Sequence, residues 1–315
     1  MAGKLSLDGL RRIASRQRAK TRRPVDLSKT PRPANRDRIQ WITLIAVSLP
    51  GLAALVALLF TWLQVKQNAK QLDISEQGQI TSRLNAAVTN LGSPSIDVRI
   101  GGIYALDRLS EDSKRDEETI PIILSAYVRN HAHLSAENAK KTQSYQDDKP
   151  PPADIAAAAD VLMSFPVLGD GAHDEDLSHT DLRGLDAGRG DTNFEATYFG
   201  GSNLSGAEFA SADLKSAILD ETNLHTADMN SATLNEASFE YADLTGVDFT
   251  YATAKRTDFN SANLTNAHFN DADLTNADFT GANLTNADFT GAIQKGMKLD
   301  GAKLDGAIGL SQSRR

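Results

Sequence analysis

The chain contains the stretch SANLTNAHFNDADLTNADFTGANLTNADFT (residues 261–290), which repeats itself every five residues. The same period extends from Asn193 to about Gly306. Taking every fifth residue from Phe194 to Leu304 gives 23 positions, of which 11 are Leu and nine are Phe; two residues earlier in each unit, 16 of 23 are Ala. One large and one small apolar residue per five fit neither a helix nor a strand. The period therefore predicts a solenoid, in which each unit buries its apolar side chain by stacking on its neighbours.

The units ANLTN (residues 262–266) and ADLTN (residues 272–276) resemble those of pentapeptide-repeat proteins, and the resemblance covers more than a third of the chain. It implies a right-handed quadrilateral β-helix with one pentapeptide per face and four per coil, the Leu or Phe and the Ala directed inward. The column would then have nearly six coils and, at ~4.8 Å per coil, a length of roughly 27 Å.

Sorting the central residues by face under that geometry gives four ladders. One face carries Leu throughout, two opposite faces carry stacked Phe rings, and the fourth contains Ala254 and Gln294 and is predicted to be the weakest. Each buried ring would stabilise the column by roughly 2–3 kcal/mol. The predicted structural core comprises Leu204, Leu224, Leu244, Phe249, Phe259, Leu264, Phe269, Leu274, Phe279, Leu284 and Phe289.

Charge is distributed unevenly along the chain. The formal net charge is −8, but residues 1–38 hold 12 Lys or Arg against three Asp, whereas residues 171–310 hold 23 Asp or Glu against eight Lys or Arg. The chain has no Cys, which excludes a disulfide framework, a zinc–thiolate site and a cysteine nucleophile. A basic arm and an acidic column are thus separated by the intervening residues.

A transmembrane helix is predicted over residues 39–64, because no charged residue lies between Arg38 and Lys66. A cleaved signal peptide would have a shorter apolar core followed by small residues, which residues 61–66 do not supply. Two Trp bracket the span, where interfacial aromatics are found, and a Pro-Gly pair at its middle predicts a kink. These predicted anchor residues are Trp41, Pro50, Gly51 and Trp62.

The basic flank places the N-terminus in the cytoplasm and the rest of the chain on the other side of a cell membrane, by the positive-inside rule. Residues 1–38 are then predicted to be a disordered arm that lies against anionic headgroups. The alternative is nucleic-acid binding through pairs such as Arg11 and Arg12, but no aromatic residue is interleaved with them.

After the apolar span, apolar residues recur at helical spacing in residues 71–134, which predicts a module of three short helices. Residues 87–109 are similar to a helical region found ahead of the repeats in membrane-anchored pentapeptide-repeat proteins of actinobacteria, and residues 97–109 also resemble a HEAT motif. Asp97 and Arg99 are interpreted as pairing residues within the module.

The remaining boundaries follow from composition and register. Residues 135–152 are predicted to be a flexible linker, residues 153–170 a capping segment, residues 171–310 the β-helix and residues 311–315 a tail. The spacing from Leu182 to Phe194 exceeds two full repeats by two positions, which predicts a loop or bulge in the first coil. The predicted fold class is α + β-solenoid, with a single transmembrane helix, a small helical module and a right-handed quadrilateral pentapeptide-repeat β-helix.

Asp or Asn precedes the central Leu or Phe in 13 of the 23 units. Short polar side chains there bond to nearby backbone in tight turns, which is a structural role. The functional hypothesis is a row of carboxylates that forms a binding surface, as in family members that resemble duplex DNA in charge and occupy the DNA groove of bacterial gyrase. The carboxylates concerned are Asp213, Asp228, Asp243, Asp248, Asp258, Asp273, Asp278 and Asp288. Two departures weaken that hypothesis: those family members are soluble and dimerise through a C-terminal helix, and this sequence ends without one.

The sequence thus predicts a non-catalytic, membrane-anchored protein that serves as a rigid acidic interaction platform for an unidentified protein partner. Exposed Tyr198, Tyr241 and Tyr251, with Ile218, are its predicted contact residues. The alternative is a DNA mimic that protects gyrase or another topoisomerase. No Ser/His/Asp spacing, phosphate loop or paired carboxylates indicate an enzyme, and no cofactor, metal or small-molecule substrate is predicted. Direct nucleic-acid binding is disfavoured, and homo-oligomer formation is left open.

Overall fold

A computed structural model describes residues 36–134, 149–165, 175–188 and 192–311. Four helices precede the repeats: α1 (Arg36–Leu91), α2 (Ile96–Asp112), α3 (Thr119–His131) and α4 (Ala153–Ser164). The chain divides into two compact units, Met1–Ile74 and Ser75–Arg315. Nearly all of the predicted basic arm, most of the predicted linker, the end of the predicted capping segment and most of the tail lie outside the described residues.

Helix α1 joins two elements that the sequence predicts to be separate. The apolar span and the first helix of the module form one continuous helix of 56 residues, which also continues through Pro50. The physical reason lies in residues 64–79, which contain Gly78 but no Pro or other helix-stop signal. The prediction of a separate first module helix was therefore wrong.

The end of α1 and helices α2, α3 and α4 share one apolar interior. Gly102 allows α2 to approach α1 closely, because a Cβ added there would lie 2.9 Å from the carbonyl oxygen of Ala87. Helix α4 packs against α2 and α3 and buries Leu162, so the predicted capping segment begins with a helix of the module. The buried side chains of the other helices are Ala87, Leu91, Ile103, Leu106, Leu109, Ile120, Leu124 and Val128.

The repeats form a coil of four pentapeptides, as predicted. Parallel bridges join each residue to its counterpart four repeats later, for example Asp248 to His268 and His268 to Asp288. Three backbone hydrogen bonds per repeat link successive coils; around Phe269, the N–H groups of Phe269 and Asp271 donate to the next coil at 2.7 and 3.0 Å. The pairing is limited to single-residue bridges because the chain turns a corner every five residues.

The first coil is longer than the others. Its bridges join Asp176 to Tyr198, Asp181 to Asn203 and Asp186 to Glu208, an offset two positions greater than in the later coils. This offset confirms the two-residue insertion predicted between Leu182 and Phe194. The helical module extends the first coil, since Asp181 N–H donates to Ala132 O at 2.7 Å and Asn193 N–H to Met163 O at 3.2 Å.

We number the faces in chain order. The first central residue of face 1 is Phe194, of face 2 Phe199, of face 3 Leu204 and of face 4 Phe209, and each face recurs once per coil. Each corner consists of the two residues that follow a central residue and takes the number of that residue's face. The rings of Phe239, Phe259 and Phe279 stack on face 2 with centroids 5.2 and 4.7 Å apart. A second stack, Phe249, Phe269 and Phe289, fills face 4 at 4.8 and 5.0 Å. All eleven predicted core residues are fully buried.

Every corner from 194 to 306 uses the same turn. The residue two positions after the central Leu or Phe has a positive φ in all 23 units, between 56° and 79°. The turn is closed by a bond such as Ala272 N–H to Phe269 O at 3.1 Å, and a positive φ at its third residue is the geometry of a type II turn. Only eight of these residues are Gly; Tyr241, Tyr251 and Arg256 also adopt it, at φ 59°, 62° and 58°.

Candidate interaction surface

The Asp and Asn residues before the central Leu or Phe take part in the turns. In all 13 units a side-chain oxygen accepts a hydrogen bond from the backbone N–H two residues later, over 2.9–3.4 Å. Asp243 Oδ1 is an example, since it accepts from Thr245 N–H at 3.2 Å. One carboxylate oxygen of each Asp is thus committed to the fold, as expected from the structural interpretation.

The eight predicted surface carboxylates do not form one surface. Face 1 carries Asp213 and Asp273, face 2 Asp258 and Asp278, face 3 Asp243, and face 4 Asp228, Asp248 and Asp288. The longest acidic ladder among them is on face 4, where Glu208, Asp228 and Asp248 are bridged in sequence before His268 interrupts it. The predicted row of carboxylates is therefore divided over the four sides of the column, because successive repeats lie on successive sides of a four-sided coil.

Two of these carboxylates are neutralised by neighbouring coils. Lys298 Nζ lies 2.7 Å from Asp278 Oδ2, and Lys255 Nζ lies 3.1 Å from Asp273 Oδ2. Partial burial raises the pKa of each Asp, but side-chain hydrogen bonds outweigh this effect. Bonds from Lys298 and Thr280 lower the pKa of Asp278, and bonds from Thr275 and Lys255 lower the pKa of Asp273, below the usual range. These residues contribute less free negative charge to the surface than the sequence suggests.

Most basic residues of the column lie on one corner; the exceptions are Lys298 on face 2 and Lys303 on face 3 of the last described coil. Between residues 192 and 297 the sequence has four Lys or Arg, namely Lys215, Lys255, Arg256 and Lys295, and every one follows a face 1 residue. Lys215 pairs with Glu195, and Arg256 with Glu236, one coil away in each case. Corners 2, 3 and 4 carry no Lys or Arg over this range, so those sides retain the acidic excess.

The predicted contact residues lie on different sides. Tyr198 and Ile218 are bridged neighbours on face 2, with 42% and 37% of their surface exposed. Tyr241, 62% exposed, lies on corner 2, which borders face 2. Tyr251, 61% exposed, follows two repeats later on corner 4, diagonally across the column. Tyr198, Ile218 and Tyr241 thus lie on face 2 and its corner in three successive coils, whereas Tyr251 lies on the diagonal corner.

A glycine pair creates a flat surface beside Tyr198. A Cβ added to Gly200 would lie 2.8 Å from Cζ and Oη of Tyr198, and one added to Gly201 would lie 2.6 Å from Nδ1 of His179. Both rings therefore lie along the column over glycine backbone. We call His179, Tyr198, Gly200, Gly201 and Ile218 the Tyr198 platform. Sequence reasoning missed His179 and the glycines, although Gly200-Gly201 is the one corner between 194 and 306 with glycine at both turn positions.

A buried polar cluster joins three helices of the module. Arg99 on α2 donates through Nε to Asp154 Oδ2 on α4 at 2.8 Å, and the hydroxyl of Tyr127 on α3 donates to the same oxygen at 2.5 Å. Burial, followed by the Asp154 hydrogen bond, raises the pKa of Tyr127 to about 12. Burial opposes ionisation of Asp154, but hydrogen bonds from Tyr127 and Arg99 hold its pKa below the usual range. Arg99 is thus a pairing residue of the module, as interpreted from the sequence.

The N-terminal half of α1 has the properties of a membrane span. The helix is long and apolar enough to cross a bilayer, with a mean hydropathy of 2.4 over its most apolar window, and none of that window is buried within the protein. Trp41 and Trp62 are 66% and 54% exposed. Among the described residues, no group of three or more His, Asp or Glu is arranged to hold a metal ion.

Comparison with known proteins identifies the repeats. The model for "Pentapeptide repeats" matches residues 257–293 and 267–306, and the model for "Pentapeptide repeat region" matches residues 192–269. No curated protein sequence matches the chain.

Solved structures of pentapeptide-repeat proteins are also similar. The protein Rfr23 from the cyanobacterium Cyanothece 51142 is 28% identical over 29% of this chain and 58% of its own (TM-score 0.18), and a protein from the Arabidopsis thaliana thylakoid lumen is 33% identical over 30% and 63% (TM-score 0.24). QnrB1, a plasmid-mediated fluoroquinolone resistance protein, is 20% identical over 41% and 76% (TM-score 0.20). The chain spans about three fifths of the length of the first two. Residues 192–306 are a pentapeptide-repeat domain.

Proposed function

We propose that this protein is a non-catalytic, membrane-anchored scaffold whose β-helix offers a rigid acidic platform to a protein partner. The observation that carries the proposal is the exposure of Tyr198, Ile218, Tyr241 and Tyr251 at positions where most other repeats have Asp, Asn, Ser, Thr, Glu or Gly. Tyr241 and Tyr251 also adopt a left-handed φ, which costs a bulky residue roughly 1–2 kcal/mol. Large exposed aromatics held at such a cost favour a role in contact with another protein.

The rigidity of the column supports this function. Backbone bonds link each repeat to the next coil, and Phe stacks fill the interior from face 2 to face 4. A partner that binds such a surface orders few groups of the scaffold, so little conformational entropy is lost on the scaffold side. The side chains that could support chemistry, the Asp and Asn of the repeats, are bonded into turns instead.

The apolar half of α1 supplies the proposed location. A helix of this hydropathy with no buried residue in its most apolar window fits a bilayer better than a protein interior. The excess of Lys and Arg in residues 1–38 favours a cytoplasmic N-terminus and supports a single-pass anchor with the repeats on the other side of the membrane.

Site-directed photocrosslinking in cells tests the scaffold. Benzoylphenylalanine in place of Tyr241 or Tyr251 should give a discrete crosslinked band, while the same label at Thr226, which is exposed on corner 3, should not. Crosslinks of equal strength at all three positions, or at none, would contradict a defined contact surface.

A reporter fused to the C-terminus tests the location. Activity of a periplasmic or extracellular reporter supports the proposed topology. A cytoplasmic signal would reverse it and favour the gyrase-protecting DNA mimic, which needs the repeats in the cytoplasm. The purified protein would then have to alter DNA supercoiling by gyrase.

A further inference from the structure

We propose that the Tyr198 platform binds an arginine- or lysine-bearing segment of the partner. The inference rests on the proposed scaffold function and names the chemistry that the scaffold recognises. It is carried by the position of two rings beside the glycines, the apolar side chain next to them and the charge of the adjoining corner.

Two aromatic rings lie against the glycine corner. Because the Tyr198 ring lies over Gly200 and the His179 ring over Gly201, both run along the surface of the column. The face of a tyrosine ring carries negative potential and attracts an ammonium or guanidinium group within about 6 Å. Guanidinium also stacks on aromatic faces, which favours arginine over lysine.

Ile218 extends the platform by one coil. It is bridged to Tyr198, so the two side chains are adjacent on face 2. The next residues along this ladder, Ser238 and Asp258, are polar, so the apolar part ends after Ile218. A long basic side chain can lay its methylene stem on such a surface while its charged end remains in water.

Carboxylates border the platform on corner 2. Asp220 and Glu221 lie one coil after Gly200 and Gly201, and Gly201 N–H donates to Asp220 O at 2.9 Å. Asp220 Oδ1 accepts from Ser238 Oγ at 2.5 Å and from Glu240 N–H at 2.9 Å, which holds that carboxylate in place. Three cations near the platform are already paired: Arg129 with Asp176, the bridge partner of Tyr198, Arg183 with Asp181, and Lys215 with Glu195. The charge beside the rings is therefore negative, complementary to a basic segment and repulsive to an acidic one.

The test uses the full chain in nanodiscs of neutral phosphatidylcholine. The probe is a fluorescein-labelled peptide in which Arg and Leu alternate, and its counterpart has citrulline at each Arg, which removes the charge and keeps the shape. Fluorescence anisotropy should show binding of the Arg peptide and, for the citrulline peptide, affinity weaker by about tenfold or more.

Variants locate the binding. The double variant Tyr198→Ser, Ile218→Ser should bind the Arg peptide about tenfold more weakly, because two contacts with the peptide are lost. Serine is tolerated at this position of the repeat, since Ser238 occupies it one coil after Ile218. Glu221→Asn, at an exposed corner where Asn suits the positive φ, should weaken it without unfolding the column. Tyr251→Ser, on the diagonal corner, is the matched control and should bind as the unmodified protein does.

Two results would overturn the platform. Equal binding of the citrulline peptide would exclude recognition of charge, and equal weakening by Tyr251→Ser would show that the peptide binds elsewhere. In either case crosslinks from Tyr241 or Tyr251 in cells would remain the separate test of the scaffold, so the platform can fail while the scaffold stands.

Discussion

Gln294 Nε2 donates a hydrogen bond to the carbonyl oxygen of Gly309 over 2.8 Å, and Gln294 Oε1 accepts one from Ser311 N–H over 3.1 Å. Gln294 occupies a core position of face 1, where a buried amide would be costly without partners. It lies in the last described coil, in which Leu299 and Leu304 are only partly buried. The side chain that breaks the repeat pattern thus fixes the chain end across the coil, and Leu310 is buried there.

Gln294→Ala should loosen that end without unfolding the column. Loss of the two bonds should cost about 1 kcal/mol locally, since neither partner is deeply buried. Hydrogen exchange of amides 307–311 should accelerate while that of amides 239–289 stays unchanged. Unaltered exchange at 307–311 would show that Gln294 does not hold the end.

Phe269→Asp should unfold the β-helix cooperatively. Its ring stacks on Phe249 and Phe289 and meets Phe279 edge to face at 5.5 Å, so a carboxylate there would be buried without a partner. Asp278→Asn should be nearly silent, because Asn can still accept from Thr280 N–H and the exposed Lys298 pair contributes under ~1 kcal/mol. Thermal melts followed by circular dichroism compare the two, and similar losses of stability would refute the inward and outward assignment.

Tyr241→Asn and Tyr251→Asn should each raise the melting temperature. Asn tolerates the left-handed φ better than Tyr, and removing this strain should stabilise the fold by about 0.5–1 kcal/mol. Tyr198→Ala, at a position outside the positive-φ set and without a side-chain oxygen to bond the turn, is the control and should bring no such gain. A fall in stability for both corner variants would mean that the rings pack on the column more than their exposure indicates.

Glu175 should make stability depend on pH near neutrality. Burial raises its pKa from 4.5 to about 7, so the folded state holds the proton more tightly than the unfolded one. The stability linked to this group is fully present below pH 4.5 and is lost as pH rises towards 7. Glu175→Gln should therefore be more stable than the unmodified protein at pH 8, by up to about 3 kcal/mol.

Denaturant melts between pH 4 and 8 measure this difference. Glu221→Gln, on an exposed corner, should leave the pH profile unchanged. A parallel profile for Glu175→Gln and the unmodified protein would show that Glu175 does not titrate in this range.

Gly102→Ala should destabilise the helical module. The added Cβ would lie 2.9 Å from Ala87 O and 3.0 Å from Asn90 Cβ, so α1 and α2 would have to separate, at a cost of about 1–3 kcal/mol. Gly101→Ala is the matched control: nothing lies within 4 Å of its new Cβ, and the helix should gain up to ~1 kcal/mol. Equal melting temperatures for the two variants would contradict the close approach of the helices.

The five-residue period predicted the architecture because the core residue and the turn residues of each repeat lie within that repeat. Phe269 and Asp273 belong to units whose core and turn bonds are local, so their burial and hydrogen bonding follow from register alone. The continuity of α1 could not be predicted, since the residues after Leu63 tolerate both a helix and a linker. The division of the surface carboxylates over four faces could be predicted only with the coil geometry. The Tyr198 platform could not be predicted because it depends on two glycines that leave room for the rings of Tyr198 and His179.

The uniform bridging of each coil to the next has a mechanical consequence. A partner that pulled on the C-terminal end, with the other end held in a membrane, would peel the column one coil at a time, because each bridge joins only adjacent coils. Each coil released would lengthen the chain by about 60–70 Å, so the domain would extend in equal steps under load. The first coil, with its two additional residues and its bonds to the helical module, and the last described coil, in which Leu299 and Leu304 are only partly buried, would yield at different forces.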